Sequence, residues 1–173
     1  MTIVDKARYF ATAAHAAVGQ KRKYDGADYI VHPERVAQNV RRYGGTDYMI
    51  AAAYLHDVVE DTDVTMDTIT SMFGSVVAKL VSDLTDVSKP GDGNREARKT
   101  IDRQHTANAT ADAQFIKCAD IIDNAYDIAD NDPSFWRVYR REMSLLLDEM
   151  VRVKNTPIYL DARWAIEEKQ LTA

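Results

Sequence analysis

Apolar residues recur at helical spacing along most of this 173-residue chain, and this pattern limits the possible fold more than any other feature. In the segment 3–18, apolar residues three or four positions apart lie on one stripe: Val4, Ala7, Phe10, Ala11, Ala14 and Val18. We find no segment with the apolar–polar alternation of a strand, and no internal repeat. With 7 Gly and 4 Pro, the chain has little material for hairpins or long loops. The pattern therefore predicts an all-α protein.

The sequence predicts a series of helices joined by short connections. Their expected bounds are 3–18, 33–43, 47–60, 65–73, 75–85, 95–107, 110–130, 133–153 and 157–170. Short connections favour a helical bundle, and the length of the chain suits one hydrophobic core. We therefore predict a single domain over 1–173, with a motif core at 5–130 and covering helices at 131–173.

Composition and charge narrow the class of protein. The single cysteine, Cys118, excludes an intramolecular disulfide and suits a reducing cytoplasm. A net charge of −5 argues against binding a nucleic acid polymer. No apolar run approaches the length of a membrane span, and the N-terminus lacks the apolar core of a signal peptide. We expect a cytoplasmic protein that acts on small molecules and leave oligomer formation open.

Four ionisable side chains crowd the stretch YLHDVVEDT, residues 54–62, directly after the apolar run MIAAA. On a helix, His56, Asp57, Glu60 and Asp61 share one side, and adjacent His56 and Asp57 are about 100° apart. Three carboxylates this close repel one another unless a cation neutralises them. A solvated helix end is the alternative interpretation. A divalent metal explains the crowding directly, with Glu60 and Asp61 orienting and deprotonating a water on it.

Two further residues stand in contexts that suit metal ligands. His32 directly precedes a proline at a predicted loop–helix junction, and Asp120 lies between apolar residues in IKCADIIDNAYDI. With His56 and Asp57 they form a mixed imidazole and carboxylate set, which suits Mn²⁺, Fe²⁺ or Zn²⁺ better than Ca²⁺. The alternative for Asp120 is a carboxylate satisfied by a buried arginine.

Three motifs, in this order, resemble the His…His-Asp…Asp signature of the HD phosphohydrolase superfamily. More narrowly, they are similar to those of the RelA/SpoT-type (p)ppGpp hydrolase domain and its small single-domain relatives. That group has Gly-Gln-x-Arg/Lys before Tyr-x-x-His-Pro, then His-Asp-x-x-Glu-Asp-Thr, then Ala-Asp-x-x-x-Asn. The matching stretches here are GQKRKYDGADYIVHP, HDVVEDT and ADIIDN, and the resemblance covers residues 5–130.

The resemblance implies an HD-type helical fold and a metal-dependent (p)ppGpp 3′-pyrophosphohydrolase. The metal ligands that it implies, usually for Mn²⁺, are His32, His56, Asp57 and Asp120. It assigns water activation to Glu60 and Asp61. It assigns contacts with the phosphates and base to Arg22 and Lys23, and contact with the ribose to Asn124. The stretch QKRK is also the most basic cluster in the first half of an acidic chain, which suits an anionic substrate.

Three positions depart from the family pattern. Ile121 replaces a frequent basic residue, Tyr126 a common arginine, and Asp28 the usual proline of the loop. These departures leave the metal ligands intact and keep other substrates open: an adenosine alarmone, a deoxynucleotide, or the 2′-phosphate of NADPH. A non-catalytic nucleotide-binding regulator is a further alternative, against which the complete ligand set argues.

Other polar residues have weaker signals. His15, inside an Ala-rich helix, is predicted to be a hydrogen-bonded packing residue rather than a ligand. Lys117 is either a site residue or a charge on the helix surface. One of Arg95, Arg98 and Lys99, which follow the loop 86–94, is a candidate for phosphate contact.

Overall fold

The computed structural model describes residues 1–168, and most of them are helical. Among these residues the extended pairing consists of one isolated antiparallel bridge, between Lys21 and Asp28. The α-helices are α1 Ile3–Ala17, α2 Val31–Arg42, α3 Asp47–Leu55, α4 Val58–Asp61, α5 Met66–Leu84, α6 Arg95–Asn108, α7 Ala111–Asn131, α8 Pro133–Glu149 and α9 Pro157–Glu168. A short 3₁₀ turn occupies Pro90–Asp92. The predicted all-α fold class is confirmed.

Polar caps explain where many of these helices begin. Each cap side chain accepts a hydrogen bond from a backbone N–H of the first turn, and the caps are Thr2, Thr46, Thr65, Asn94, Thr110 and Asp132. A cap of this kind contributes about 1 kcal/mol to helix stability. The sequence therefore determines these starts locally.

The prediction of one continuous helix over 47–60 is wrong, because two separate helices occupy this segment. α3 ends at Leu55 and α4 begins at Val58, so His56 and Asp57 occupy the break. The predicted stop at Gly74 is confirmed, because α5 consists of two helical segments that meet at a kink at this residue. Gly74 has φ +80°, a left-handed conformation that favours glycine. The predicted helix 157–170 is observed to Glu168, and positions 169–170 lie outside the described residues.

The chain divides into two compact units, and the first is Met1–Thr85 with α1 to α5. Its centre is α3, which packs against α1, α2 and α5. Every residue from Met49 to Leu55 is buried, which explains why this helix is apolar on all sides. Residues attached to α3 are therefore held by the core of the unit.

The second unit begins at Asp86, and α7 packs against both α8 and α9 within it. Its largest buried apolar side chains include Ile116, Ile121, Leu147 and Ile158. The single-domain organisation over 1–173 remains a prediction. Between residues 1 and 168, each helix is too short or too polar to cross a bilayer.

Candidate functional site

Two buried histidines and one carboxylate meet in the first unit. The His32 side chain lies in the first turn of α2 and is 1% exposed, and His56, directly after α3, is 4% exposed. Their Nε2 atoms lie 3.7 Å and 3.2 Å from the same oxygen, Oδ2 of Asp57. One ligand atom from each of the three residues lies within 4.8 Å of the other two. We call His32, His56 and Asp57 the His-His-Asp cluster.

Neighbouring groups orient the members of this cluster. The Nδ1 atom of His56 lies 2.7 Å from the carbonyl oxygen of Ala53, which only accepts, so Nδ1 carries the proton. This bond leaves Nε2 facing Asp57. The Tyr29 hydroxyl donates to Oδ2 of Asp57 at 2.5 Å, and the Tyr29 ring contacts that of His32. Partners of this kind hold metal ligands in place in many proteins.

The donor set and its spacing fit a divalent transition metal. Two ligands at about 2.1 Å from one ion are about 3 to 4.2 Å apart. The separations of 3.2 Å and 3.7 Å between Asp57 Oδ2 and the two imidazoles lie in that interval. Burial of two imidazoles beside one carboxylate is the arrangement that such an ion stabilises. His32, His56 and Asp57 would hold the ion.

The predicted water-activating pair follows the cluster directly. Glu60 and Asp61 end the single turn of α4, which begins just after Asp57, and both are exposed. The backbone N–H of Asp61 donates to the Asp57 carbonyl at 2.9 Å. The Asp61 carboxylate also accepts a hydrogen bond from Gln20 Nε2 at 2.8 Å. Exposed carboxylates one turn beyond a buried ligand set are accessible to water and able to accept a proton.

The predicted substrate-binding residues of the first unit lie on the loop before α2. The loop folds back on itself through a hydrogen bond from the Arg22 N–H to the Ala27 carbonyl, at 2.8 Å. The Arg22 guanidinium lies 6.0 Å from the ring centroid of Tyr29, whose hydroxyl contacts Asp57. Lys23 instead lies against Tyr24, with its ammonium 4.8 Å from that ring. Of the two cations, Arg22 is thus connected to the cluster through Tyr29.

Asp120 and Asn124, the other predicted site residues, lie on α7 of the second unit. Asp120 is buried, and its two oxygens accept hydrogen bonds from Lys117 Nζ at 2.8 Å and Asn124 Nδ2 at 2.6 Å. Burial lowers the pKa of the Lys117 ammonium, but the charges of Asp120 and Asp86 outweigh it and raise that pKa above its usual value. Lys117 is therefore a charged partner of Asp120. The roles of Asp120 and Asn124 at a metal and a ribose remain predictions.

The second unit also contains a basic cavity of about 460 Å³ between α6 and α8. The cations that line it are Arg95, Lys99, Arg103, Arg137 and Arg141. Glu142 forms a double hydrogen bond with Arg95, and Asp86 pairs with Lys99. Arg137 and Arg141, by contrast, form no ion pair with any of the residues 1–168. The sequence indicated Arg95 and Lys99 as candidates, but gave no sign that α8 supplies two more cations.

Sequence reasoning missed the roles of two residues inside the first motif. Tyr29 contacts the cluster, and Gln20 contacts Asp61, although neither was assigned a function. The available signal was that both residues occupy named positions of the motif in GQKRKYDGADYIVHP, namely the Gln after Gly19 and the Tyr before His32. His15 is buried and hydrogen-bonded to Gln20, as predicted.

Comparison with known proteins agrees with the motifs. The model of the HD domain family matches residues 7–145. The chain is 45% identical, over 87 residues, to a probable guanosine-3′,5′-bis(diphosphate) 3′-pyrophosphohydrolase of Synechocystis sp.; this match covers 50% of the chain and 11% of the relative. It is 35% identical, over 131 residues, to the guanosine-3′,5′-bis(diphosphate) 3′-pyrophosphohydrolase MESH1 of Mus musculus, covering 74% of the chain and 72% of the relative.

A solved structure of a metazoan SpoT orthologue that hydrolyses ppGpp is also similar, with a TM-score of 0.84 and 25% identity. The alignment covers 99% of this chain and 97% of that one. The family match extends over well more than half of the chain, and the mouse relative is covered over most of its length. The chain therefore belongs to the HD domain family, among the relatives of MESH1 and SpoT.

Proposed function

We propose that the protein is a metal-dependent pyrophosphohydrolase that removes the 3′ pyrophosphate of guanosine-3′,5′-bis(diphosphate). The His-His-Asp cluster carries this proposal, because its three ligand atoms lie within 4.8 Å of one another and both imidazoles are buried. The relatives support the substrate: the mouse protein is named for this reaction, and the SpoT orthologue hydrolyses ppGpp.

We propose Asp120 as the fourth metal ligand and Asn124 as the ribose contact. Asp120 suits this role because it is a buried carboxylate whose two oxygens are held in fixed positions by Lys117 and Asn124. Conversely, the Asn124 amide is oriented by Asp120, and an amide has both donor and acceptor groups for a ribose hydroxyl.

In the proposed reaction, water attacks the phosphorus bonded to the ribose 3′ oxygen. The bond between that phosphorus and oxygen breaks, and the ribose 3′ oxygen takes up a proton, either the one removed from the water or one from solvent. The products are pyrophosphate and a nucleotide with a 3′ hydroxyl. Glu60 and Asp61 orient the water and accept its proton. Arg22 and Lys23 neutralise charge on the phosphates. A bound divalent ion would supply Lewis acidity to the phosphoryl oxygens and lower the pKa of the water.

We propose Mn²⁺ as the ion, with Zn²⁺ or Fe²⁺ as alternatives, since imidazole and carboxylate ligands suit all three. The net charge of −5 supports a small nucleotide, rather than a nucleic acid polymer, as the partner. A cytoplasmic location and the possibility of an oligomer remain predictions of the sequence.

The test is a product assay on metal-stripped protein. Guanosine-3′,5′-bis(diphosphate) is added with and without Mn²⁺, and pyrophosphate and orthophosphate are quantified separately. We expect Mn²⁺-dependent release of pyrophosphate, abolished by His56→Ala, which removes a cluster ligand. His105→Ala, a histidine change on α6, is the matched control and should keep turnover.

The same assay separates the alternatives. Turnover that survives chelation of metal, or that His56→Ala leaves unchanged, would refute the metal mechanism. Faster turnover of an adenosine alarmone, a deoxynucleoside triphosphate or NADPH would change the substrate and keep the mechanism. Tight binding of a nucleotide without any product would favour a non-catalytic regulator.

A further inference from the structure

We propose that His15 and Gln20 are positioning residues, which tether the Asp61 carboxylate so that it faces the attacking water. The inference rests on the proposed hydrolase function, because it gives these residues a role in that reaction. His15 lies on α1, Gln20 on the following loop, and Asp61 on α4, so the tether joins three parts of the first unit.

The orientation of the Gln20 amide follows from its two partners. Its Nε2 atom lies 2.8 Å from Oδ2 of Asp61, and an ionised carboxylate only accepts hydrogen bonds. The NH₂ group must therefore face Asp61, and the amide oxygen must face His15. This oxygen lies 2.7 Å from Nδ1 of His15. Because the amide oxygen only accepts, Nδ1 of His15 carries the proton.

The environment of His15 keeps the ring neutral and fixed. Its side chain is 1% exposed, and burial lowers the pKa of the imidazole. The other ring nitrogen, Nε2, is buried and makes no hydrogen bond with any residue between 1 and 168. The imidazole therefore donates one hydrogen bond, from Nδ1 to the Gln20 amide oxygen, and this bond restrains rotation of the amide. The backbone N–H of Gln20 also donates to the His15 carbonyl at 3.0 Å, which fixes the start of the loop.

Asp61 needs such a tether because of where it lies. It is exposed at the last position of a four-residue helix, and an exposed side chain is restricted less by packing than a buried one. A proton acceptor must stay within hydrogen-bond reach of the water that it deprotonates, and a displacement of about 1 Å lowers a rate by as much as 100-fold. The Gln20 bond directs Oδ2 of Asp61 toward the loop, and Oδ1 keeps its acceptor capacity for a proton.

The same histidine supports the neighbouring ligand. The rings of His15 and Tyr29 lie with centroids 4.7 Å apart, and the Tyr29 hydroxyl donates to Asp57. Thus one buried imidazole orients the amide that holds Asp61 and contacts the ring that holds Asp57. His15 connects the proton acceptor to the proposed metal ligands.

The test compares Gln20→Leu with Gln38→Leu, the same change on the exposed face of α2. For Gln20→Leu we expect kcat to fall about 10- to 100-fold, with the KM for nucleotide and the Kd for Mn²⁺ unchanged. A general loss of structure would move all three quantities together. His15→Phe should lower kcat similarly, and His15→Asn should restore most of it, since an asparagine N–H lies near the place of Nδ1. Thermal unfolding of each variant checks the fold.

Two results would overturn the inference. One is that the wild-type protein releases pyrophosphate and Gln20→Leu has the same kcat. This result would refute the tether and leave the proposed function intact. The other is an NMR spectrum in which the His15 proton lies on Nε2, and this measurement does not depend on activity. A wild-type protein that binds Mn²⁺ but hydrolyses no nucleotide would instead refute the proposed function, and the His15 tautomer would then test the tether alone.

Discussion

Tyr29→Phe removes one hydroxyl and keeps the ring, so it tests the hydrogen bonding of that hydroxyl beside the His-His-Asp cluster. The hydroxyl donates to Oδ2 of Asp57 at 2.5 Å, and the ring contacts with His15 and His32 do not need it. A hydrogen bond to a charged group contributes about 1.5 to 3 kcal/mol. Since 1.4 kcal/mol corresponds to a factor of ten, we expect the Kd for Mn²⁺ to rise about 10- to 100-fold.

Calorimetric titration of metal-stripped protein with Mn²⁺ measures this change. Tyr48→Phe is the matched control, because Tyr48 is half exposed at the start of α3 and should leave the Kd unchanged. A decrease in the Kd for Mn²⁺ would point to a different role for the hydroxyl. If the hydroxyl merely competed with the ion for Oδ2, its removal would tighten Mn²⁺ binding. An unchanged or lower Kd would therefore refute the claim that Tyr29 orients Asp57.

Two further predictions concern the second unit. Asp102 is buried and accepts hydrogen bonds from the N–H groups of Val87 and Ser88 and from the Ser88 hydroxyl. Burial raises the pKa of the Asp102 carboxyl, but these hydrogen bonds and the charge of Lys99 outweigh burial and lower that pKa overall. The ionised Asp102 therefore stabilises the fold above the unfolded pKa of about 3.9, and this stabilisation is lost as the pH falls through the folded pKa. Asp102→Asn should lower the free energy of unfolding in urea by about 1 to 3 kcal/mol at pH 6, and the difference from wild type should shrink at pH 3. A difference that is the same at both pH values would contradict the claim that the ionised Asp102 stabilises the fold. Burial also raises the pKa of Cys118 to about 12, so a thiol reagent at pH 8 should label it only after denaturation; rapid labelling of folded protein would contradict its burial.

Most of the fold was predictable because its signals are local. Threonine and Asx caps, together with glycines such as Gly74, mark helix ends within a few residues of the sequence. The interruption at His56 and Asp57 was not predictable in this way. The segment 47–60 has no glycine or proline, and its apolar spacing continues to Val59. Residues at the break instead make contacts distant in sequence, such as the bond from Tyr29 to Asp57, which local signals do not predict.

The candidate site was predictable where a residue type has few possible roles in a buried position. His32, His56 and Asp57 were predicted as ligands because imidazoles and carboxylates placed among apolar residues are costly to bury unless a cation binds them, and the structure brings these three residues together. Gln20 and Tyr29 were missed because an amide and a phenol serve many purposes. Their roles depend on which atoms come within hydrogen-bond distance, and a linear sequence does not contain that information.

The burial of α3 from Met49 to Leu55 has a consequence for how an ion would leave. His56 directly follows this helix, is buried and is bonded to Ala53 within it, so we expect its imidazole to be released together with α3 rather than by fraying of a loop. Because α3 packs against α1, α2 and α5, we expect loss of that ligand to accompany opening of the unit. An ion at 100 times its Kd would therefore add about 2.7 kcal/mol to the global stability of the unit rather than to a single loop. Hydrogen exchange of the buried α3 amides should slow by the corresponding factor when Mn²⁺ binds, which makes this helix a direct reporter of metal occupancy.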